Sequence, residues 1–146
     1  MSLAVTLDAS VWLAAVSSSE AAHTDCALLL NWLVAHEVAL HQPGLFVIEV
    51  CATIARRTRD ARMAERMGRL AVGLPGVQLH ELDHSLGARA SRIAARRALR
   101  GADAVYVATA QHSGSALITI DRELAERVAA ETDVHTPAEW LAKVAS

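Results

Sequence analysis

At 146 residues the chain has the length of one ordinary domain and can bury a real core. Apolar residues make up 53% of it, which excludes a disordered chain, and no apolar run approaches the roughly 20 residues a membrane span needs. The net charge of −2 hides a segregation: residues 56–100 hold eleven Arg against four acids, a net +7, and the rest holds three bases against twelve acids, a net −9. Such a middle can face a polyanion, although helices commonly carry arginines on solvated faces; the bias towards Arg over Lys favours phosphate, whose oxygens match the guanidinium fork. Cys26 and Cys51 have no CxxC spacing and read as reduced thiols. No basic stretch followed by a long apolar run marks a secretory leader, so a cytoplasmic protein away from membranes is expected.

In chain order, Leu3 to Leu7 reads as a short buried strand and Ser10 to Val16 as a short helix. Ser17-Ser18-Ser19 supplies a turn and an N-cap, with Glu20 in the first turn of a helix that reaches about His36 and shows Cys26, Leu29, Leu30 and Leu33 on one face. Val38 to Leu40 is a strand punctuated by Pro43-Gly44. Helices follow over Leu45 to Thr58 and Asp60 to Val72, the second with Arg62, Arg66 and Arg69 on its polar side. Leu74-Pro75-Gly76 is a loop and Val77 to Leu82 a strand. Asp83 caps a helix from about His84 to Leu99, which Gly101 closes before another helix over Ala102 to Gln111. Ser113-Gly114 turns into a strand over Ala116 to Ile120, then a helix over 122–130. Asp133 to Thr136 is briefly extended, and Pro137 opens a last helix through Lys143. Short apolar strands alternating with helices predict a three-layer α/β/α sandwich on a mainly parallel sheet, with no repeat or linker dividing residues 1–146.

Two strands end on an aspartate in the same way: Val5-Thr6-Leu7-Asp8 and Ile118-Thr119-Ile120-Asp121. In open parallel sheets ligands bind beyond the carboxyl ends of the strands. If these strands are neighbours, the two carboxylates converge, and they repel unless one is protonated or a cation lies between them. An oxygen-only donor set suits the hard cations Mg²⁺ or Mn²⁺. The ordinary use of an Asp after a strand is to cap the next helix, and either use fits a single case. Two more acids interrupt apolar surroundings. Glu49 stands in LFVIEVCATIAR, where it is either paired or metal-bound, or else on a polar stripe with Thr53 and Arg57. Asp103 stands in GADAVYVATA, where a first-turn Asp also complements the helix dipole.

The order Asp8, Glu49, Asp103, Asp121, in the contexts TLDASVWLA, PGLFVIEVCATIAR, GADAVYVATAQHSG and LITIDREL, resembles the acidic quartet of PIN-domain nucleases, and HTPAEWL resembles that family's C-terminal piece. Within the family the chain most resembles the VapC toxins of VapBC toxin–antitoxin pairs. The resemblance implies an Mg²⁺- or Mn²⁺-dependent endoribonuclease in which those four acids form the metal-binding, catalytic pocket. It also implies supporting places for Thr119 and Ser10, a homodimer, and a cognate antitoxin that inserts a segment near the pocket. The expected mechanism is in-line hydrolysis of RNA by metal-activated water, without a covalent protein intermediate. With one Phe, one Tyr and three Trp, base stacking has few aromatics to use. A PIN-like domain that binds RNA or protein without cutting is the alternative. The seven histidines are scattered; His80 and His84 stand four apart in HELDH, an HExxH spelling, but Asp83 separates a strand from a helix between them, so the two do not share one helix face and no zinc site is expected. No G-x-S-x-G elbow is present. The lone Lys143 and the absence of a DxD motif at Asp8 set aside phosphoacceptor and phosphatase patterns.

Overall fold

The computed structural model describes residues 3–146. Five strands form one all-parallel sheet: β1 (Ala4–Leu7), β2 (Ala39–Pro43), β3 (Val77–His80), β4 (Ala116–Ile118) and β5 (Val134–His135), in the spatial order β3-β2-β1-β4-β5. Among the described residues eight helices cross between and after them: α1 (Ala9–Val16), α2 (His23–Ala35), α3 (Leu45–Thr58), α4 (Ala61–Val72), α5 (His84–Arg97), α6 (Gly101–Ser113), α7 (Arg122–Val128) and α8 (Pro137–Ala145). The chain builds outwards from β1 to β3, then returns to lay β4 against the other side of β1. Strand order therefore reverses between β1 and β4, the position where doubly wound sheets leave a crevice. The expected parallel α/β fold is the observed one.

The sheet is covered because its strands are apolar on both faces: Val5, Leu7, Leu40, Leu117 and Ile118 are all buried. Helix α6 lies across β1, β2 and β4, and it is buried continuously from Ala104 to Ala110. Small residues (Ala104, Ala108, Ala110) allow that close approach, while Tyr106 and Val107 fill the space beside them. Helix α2 packs against both α1 and α8, and it buries the face expected of it: Cys26, Leu29, Leu30 and Leu33.

Helix starts follow local side chains. Asp60 accepts the Met63 amide (3.0 Å), Asp83 the Leu86 amide (2.8 Å), and Thr136 with Glu139 forms a reciprocal capping box ahead of Pro137. Several boundaries differ from the sequence reading: β3 stops at His80 and β4 at Ile118, short of the expected Leu82 and Ile120, so Asp121 lies beyond the end of its strand rather than directly on it, and three further differences have a visible cause. Ser17 and Ser19 hydrogen-bond each other (3.1 Å), and α2 begins only at His23, leaving Glu20 in the turn to pair with Arg57 (2.9 Å). Helix α5 ends at Arg97 with Ala98 in the left-handed region (φ 53°), and Gly101 opens α6 rather than closing α5. Strand β2 runs on to Pro43, although β1 pairs with it in backbone register only at Ala4–Ala39 and Val5–Leu40. Past that point the buried Gln42 carboxamide takes over, accepting the Leu7 amide (2.7 Å) and donating to the Leu7 carbonyl (2.8 Å). A side chain thus stands in for the ladder, which is why a proline at the tip of an inner strand costs the sheet no bond to β1.

Gly76, before β3, has φ +90°, and its carbonyl accepts the Leu40 amide at 2.8 Å. A Cβ there would lie 2.5 Å from the Val38 carbonyl oxygen. Gly76→Ala is therefore expected to cost about 2 kcal/mol or more, seen as a lower urea midpoint at unchanged m-value.

Candidate functional site

The two strand-end aspartates do meet. Strands β1 and β4 pair in register with Leu7 opposite Ile118, and the Asp8 amide donates to the Ile118 carbonyl at 3.0 Å. One hydroxyl links the two tips: Thr119 Oγ1 donates to Asp8 Oδ2 (3.0 Å) and accepts the Asp121 amide (3.1 Å). Thr119 is fully buried. Each aspartate also caps a helix, Asp8 accepting from the Ser10 amide at the start of α1 (3.4 Å) and Asp121 from the Leu124 amide at the start of α7 (3.1 Å). The capping use and the strand-tip use are therefore held by the same side chains.

Glu49 on α3 and Asp103 on α6 open onto the same cavity as Asp8 and Asp121, a hollow of about 470 Å³ at the switch point. Ser10 lines it too. All four acids proposed from sequence are brought together. Burial pushes the Asp8 carboxyl above its ordinary value; donation by Thr119 and Ser10 pulls the other way, and the charge of Asp103 adds to the rise. Glu49 Oε1 and Ser10 Oγ are buried without a hydrogen-bond partner. The Tyr106 phenol faces Glu49, also unpartnered, and burial followed by that carboxylate pushes it up, so it stays protonated. Asp103 is paired instead, its Oδ2 accepting from Arg100 Nε at 3.2 Å. As the side chains stand, no three His, Cys, Asp or Glu among the described residues converge around a place for an ion. The donor chemistry nevertheless fits a hard cation: oxygen ligands alone, one of them an orphaned buried carboxylate oxygen.

The cavity also holds residues the sequence reading did not place there: Glu20, Thr53, Arg56, Arg57 and Arg100. Thr53 and Arg57 were visible only as the polar stripe beside Glu49. Nothing local marks Glu20, which reaches the cavity because its turn folds back towards α3 to meet Arg57. A second cluster lies elsewhere. His41 Nδ1 and His80 Nε2 share a hydrogen bond of 2.8 Å, and the His112 ring stands edge-on to His80 at 5.7 Å between centroids. Parallel pairing of β2 with β3 and the packing of α6 over β2 gather three histidines that are far apart in sequence.

The fold and its cavity define an α/β protein with an acid-lined crevice at the switch point of a parallel sheet. A family model for the PIN domain matches residues 5–131, and the chain belongs to the PIN-domain family. Solved structures share the fold. A Pyrobaculum aerophilum protein is 25% identical, with TM-score 0.67 over 99% of this chain and 98% of that one. VapC20 of Mycobacterium tuberculosis, a sarcin-ricin-loop-cleaving toxin, is 17% identical, with TM-score 0.68 over 84% and 93% of the two chains. VapBC2 of Rickettsia felis, solved with a DNA fragment from its promoter, gives 8% identity and TM-score 0.70 over 92% and 98%. Among curated proteins, none matches the sequence.

Two measurements follow from the electrostatics. Asn at position 8 keeps one of the two acceptor oxygens, here the one facing the Ser10 amide; its amide nitrogen can donate to Thr119 Oγ1 in place of the bond lost, and it carries no buried charge beside Asp103, so metal-free Asp8→Asn should melt at or above the wild-type temperature. Burial first, then the other histidines, hold His41 and His80 below the usual 6.5. The unfolded chain then takes up protons at higher pH than the folded one. Their contribution to stability is complete above pH 6.5 and is lost as pH falls through the folded values. His80→Gln should flatten the fall in melting temperature between about pH 7 and pH 5.

Proposed function

We propose that the chain, read as one PIN domain, is a divalent-metal-dependent endoribonuclease and the toxin of a toxin–antitoxin pair. The observation that carries this is the meeting of Asp8, Glu49, Asp103 and Asp121 in one cavity, with the two strand-tip aspartates joined through Thr119. Membership of the PIN family supports a nuclease. The likeness to VapC20 and VapBC2 supports RNA as substrate and a cognate antitoxin as partner. Mg²⁺ or Mn²⁺ would be held by the four acids, with Ser10 beside them. Bound there, such an ion offsets the charge of a phosphodiester and acidifies a water molecule.

The remaining work falls to the chain itself. Thr119 holds Asp8 and the Asp121 backbone in a fixed relation, so the two carboxylates need no reorganisation to act together. Asp8, desolvated and repelled by Asp103, is poised to gain from a neighbouring cation. Tyr106, protonated, lies beside Glu49. Among the described residues no helix is long and apolar enough to cross a membrane, and Cys26 and Cys51 are free; a cytoplasmic setting belongs to the same proposal. A homodimer is part of the same reading.

The test is cleavage of RNA by wild type and Asp8→Ala in Mn²⁺, with EDTA as blank. Cleavage by wild type alone is expected; equal cleavage by both would place the activity elsewhere, and none by either would favour a domain that binds without cutting. Thr119→Val, which keeps the shape and loses the link, should weaken Mn²⁺ affinity about 10- to 100-fold, measured as the shift in the Mn²⁺ midpoint of thermal stabilisation.

A further inference from the structure

The arginines of residues 56–100 divide by what they already hold. Arg96 and Arg97 close on Glu131 at 3.0–3.1 Å, Arg89 donates to Gln111 (3.2 Å), and Arg57 pairs with Glu20 (2.9 Å). These pairs tie elements together. At the acid-lined cavity two arginines differ. Arg56 lines its wall and has no carboxylate partner among the described residues. The Arg100 side chain is 82% exposed and donates from Nε to Asp103. It stands where the acid cavity meets a second hollow of about 340 Å³, and Asp103 and Asp121 line both.

We propose that Arg100 is parked on Asp103 in the substrate-free protein and passes to a backbone phosphate of the bound RNA, while Arg56 grips a second phosphate across the cavity. The assignment rests on the nuclease reading of the same site. An RNA strand drawn against four carboxylates is repelled, and these two guanidiniums, one on α3 and one at the start of α6, bring the opposite charge to the same cavity. A pair whose arginine is this exposed is weakly held and exchanges partners readily. Through Nε it spends one donor of five on Asp103, and a guanidinium matches phosphate oxygens at least as well as carboxylate ones. Arg100 and a divalent cation also compete for Asp103. Removing Arg100 should therefore act with opposite sign on the two ligands, tightening metal and loosening RNA, which a merely structural arginine would not do.

The experiment uses anisotropy of a labelled single-stranded RNA oligonucleotide in Ca²⁺, checked by gel to remain intact, over a range of salt concentrations. Wild type, Arg100→Gln, Arg56→Gln and Arg92→Gln are compared, Arg92 being exposed on α5 outside both hollows. Arg100→Gln and Arg56→Gln should each weaken binding several-fold and lower the log–log salt slope by about 0.7, with Arg92→Gln near wild type. Melting of the RNA-free proteins reports folding and should show Arg100→Gln stabilised at lower Mn²⁺ than wild type. Equal weakening by Arg92→Gln would make the effect one of net charge and overturn the assignment, as would unchanged RNA binding by Arg100→Gln. Wild type that binds in this pattern yet never cuts in Mn²⁺ would sink the nuclease reading and leave the arginine assignment standing.

Discussion

One buried hydroxyl holds the site to the sheet. Thr119 Oγ1 accepts the Asp121 amide and donates its O–H to Asp8, so the ends of two strands more than a hundred residues apart in sequence become one polar unit. The arrangement requires β1 beside β4, and so depends on the reversal of strand order between them. Everything around the cavity is positioned from there. Helices α1 and α7 start on the two aspartates, and α6, lying across the same strands, brings Asp103 over them. Burying a carboxyl at Asp8 is unfavourable on its own, and the hydrogen bonds from Thr119 and Ser10 offset part of that penalty.

The strand-tip aspartates were legible because a parallel sheet makes the carboxyl end of each strand a predictable place, and because the two apolar runs ended alike. Glu49 and Asp103 were legible as charges among apolar neighbours. For Asp8 and Asp121 the helix-cap reading is realised, and the same two side chains also line one cavity beyond the sheet. Cap chemistry read well at Asp60, Asp83 and Thr136, where one side chain reaches its own helix. It failed at Ser17–Ser19 and Gly101, where Glu20 pairing with a distant arginine and a left-handed Ala98 decided the boundary instead. Glu20, Arg56, Arg100 and the three-histidine cluster depend on how crossovers return to the sheet, and no local spacing carries that. The family resemblance supplied the order of the four acids; the geometry adds which hydroxyl joins two of them and which arginine already occupies a third.

The charge segregation visible in the sequence has a divided meaning. Part of the positive middle ties elements together, with Glu131 engaging Arg96 and Arg97 as well as Gln111, and its carboxyl held down to about 2 chiefly by the Arg96 hydrogen bond. A composition argument that sends every arginine to a polyanion would overcount. What is left at the crevice is a small number of cations set against a concentrated group of carboxylates, a site in which attraction and repulsion are both local.

The Gln42 carboxamide has a consequence for how such a crevice is held. Between β1 and β2 the distance near Asp8 is set by a side chain rather than by the repeat of the backbone ladder. A side chain at this position has to answer a buried amide and a buried carbonyl at once, and only a carboxamide brings both a donor and an acceptor to the Leu7 peptide. On its other side the tip of β1 is tied to β4 by the backbone and by Thr119. The end of the strand that carries Asp8 is thus clamped from both flanks, on one by a ladder and on the other by a single side chain.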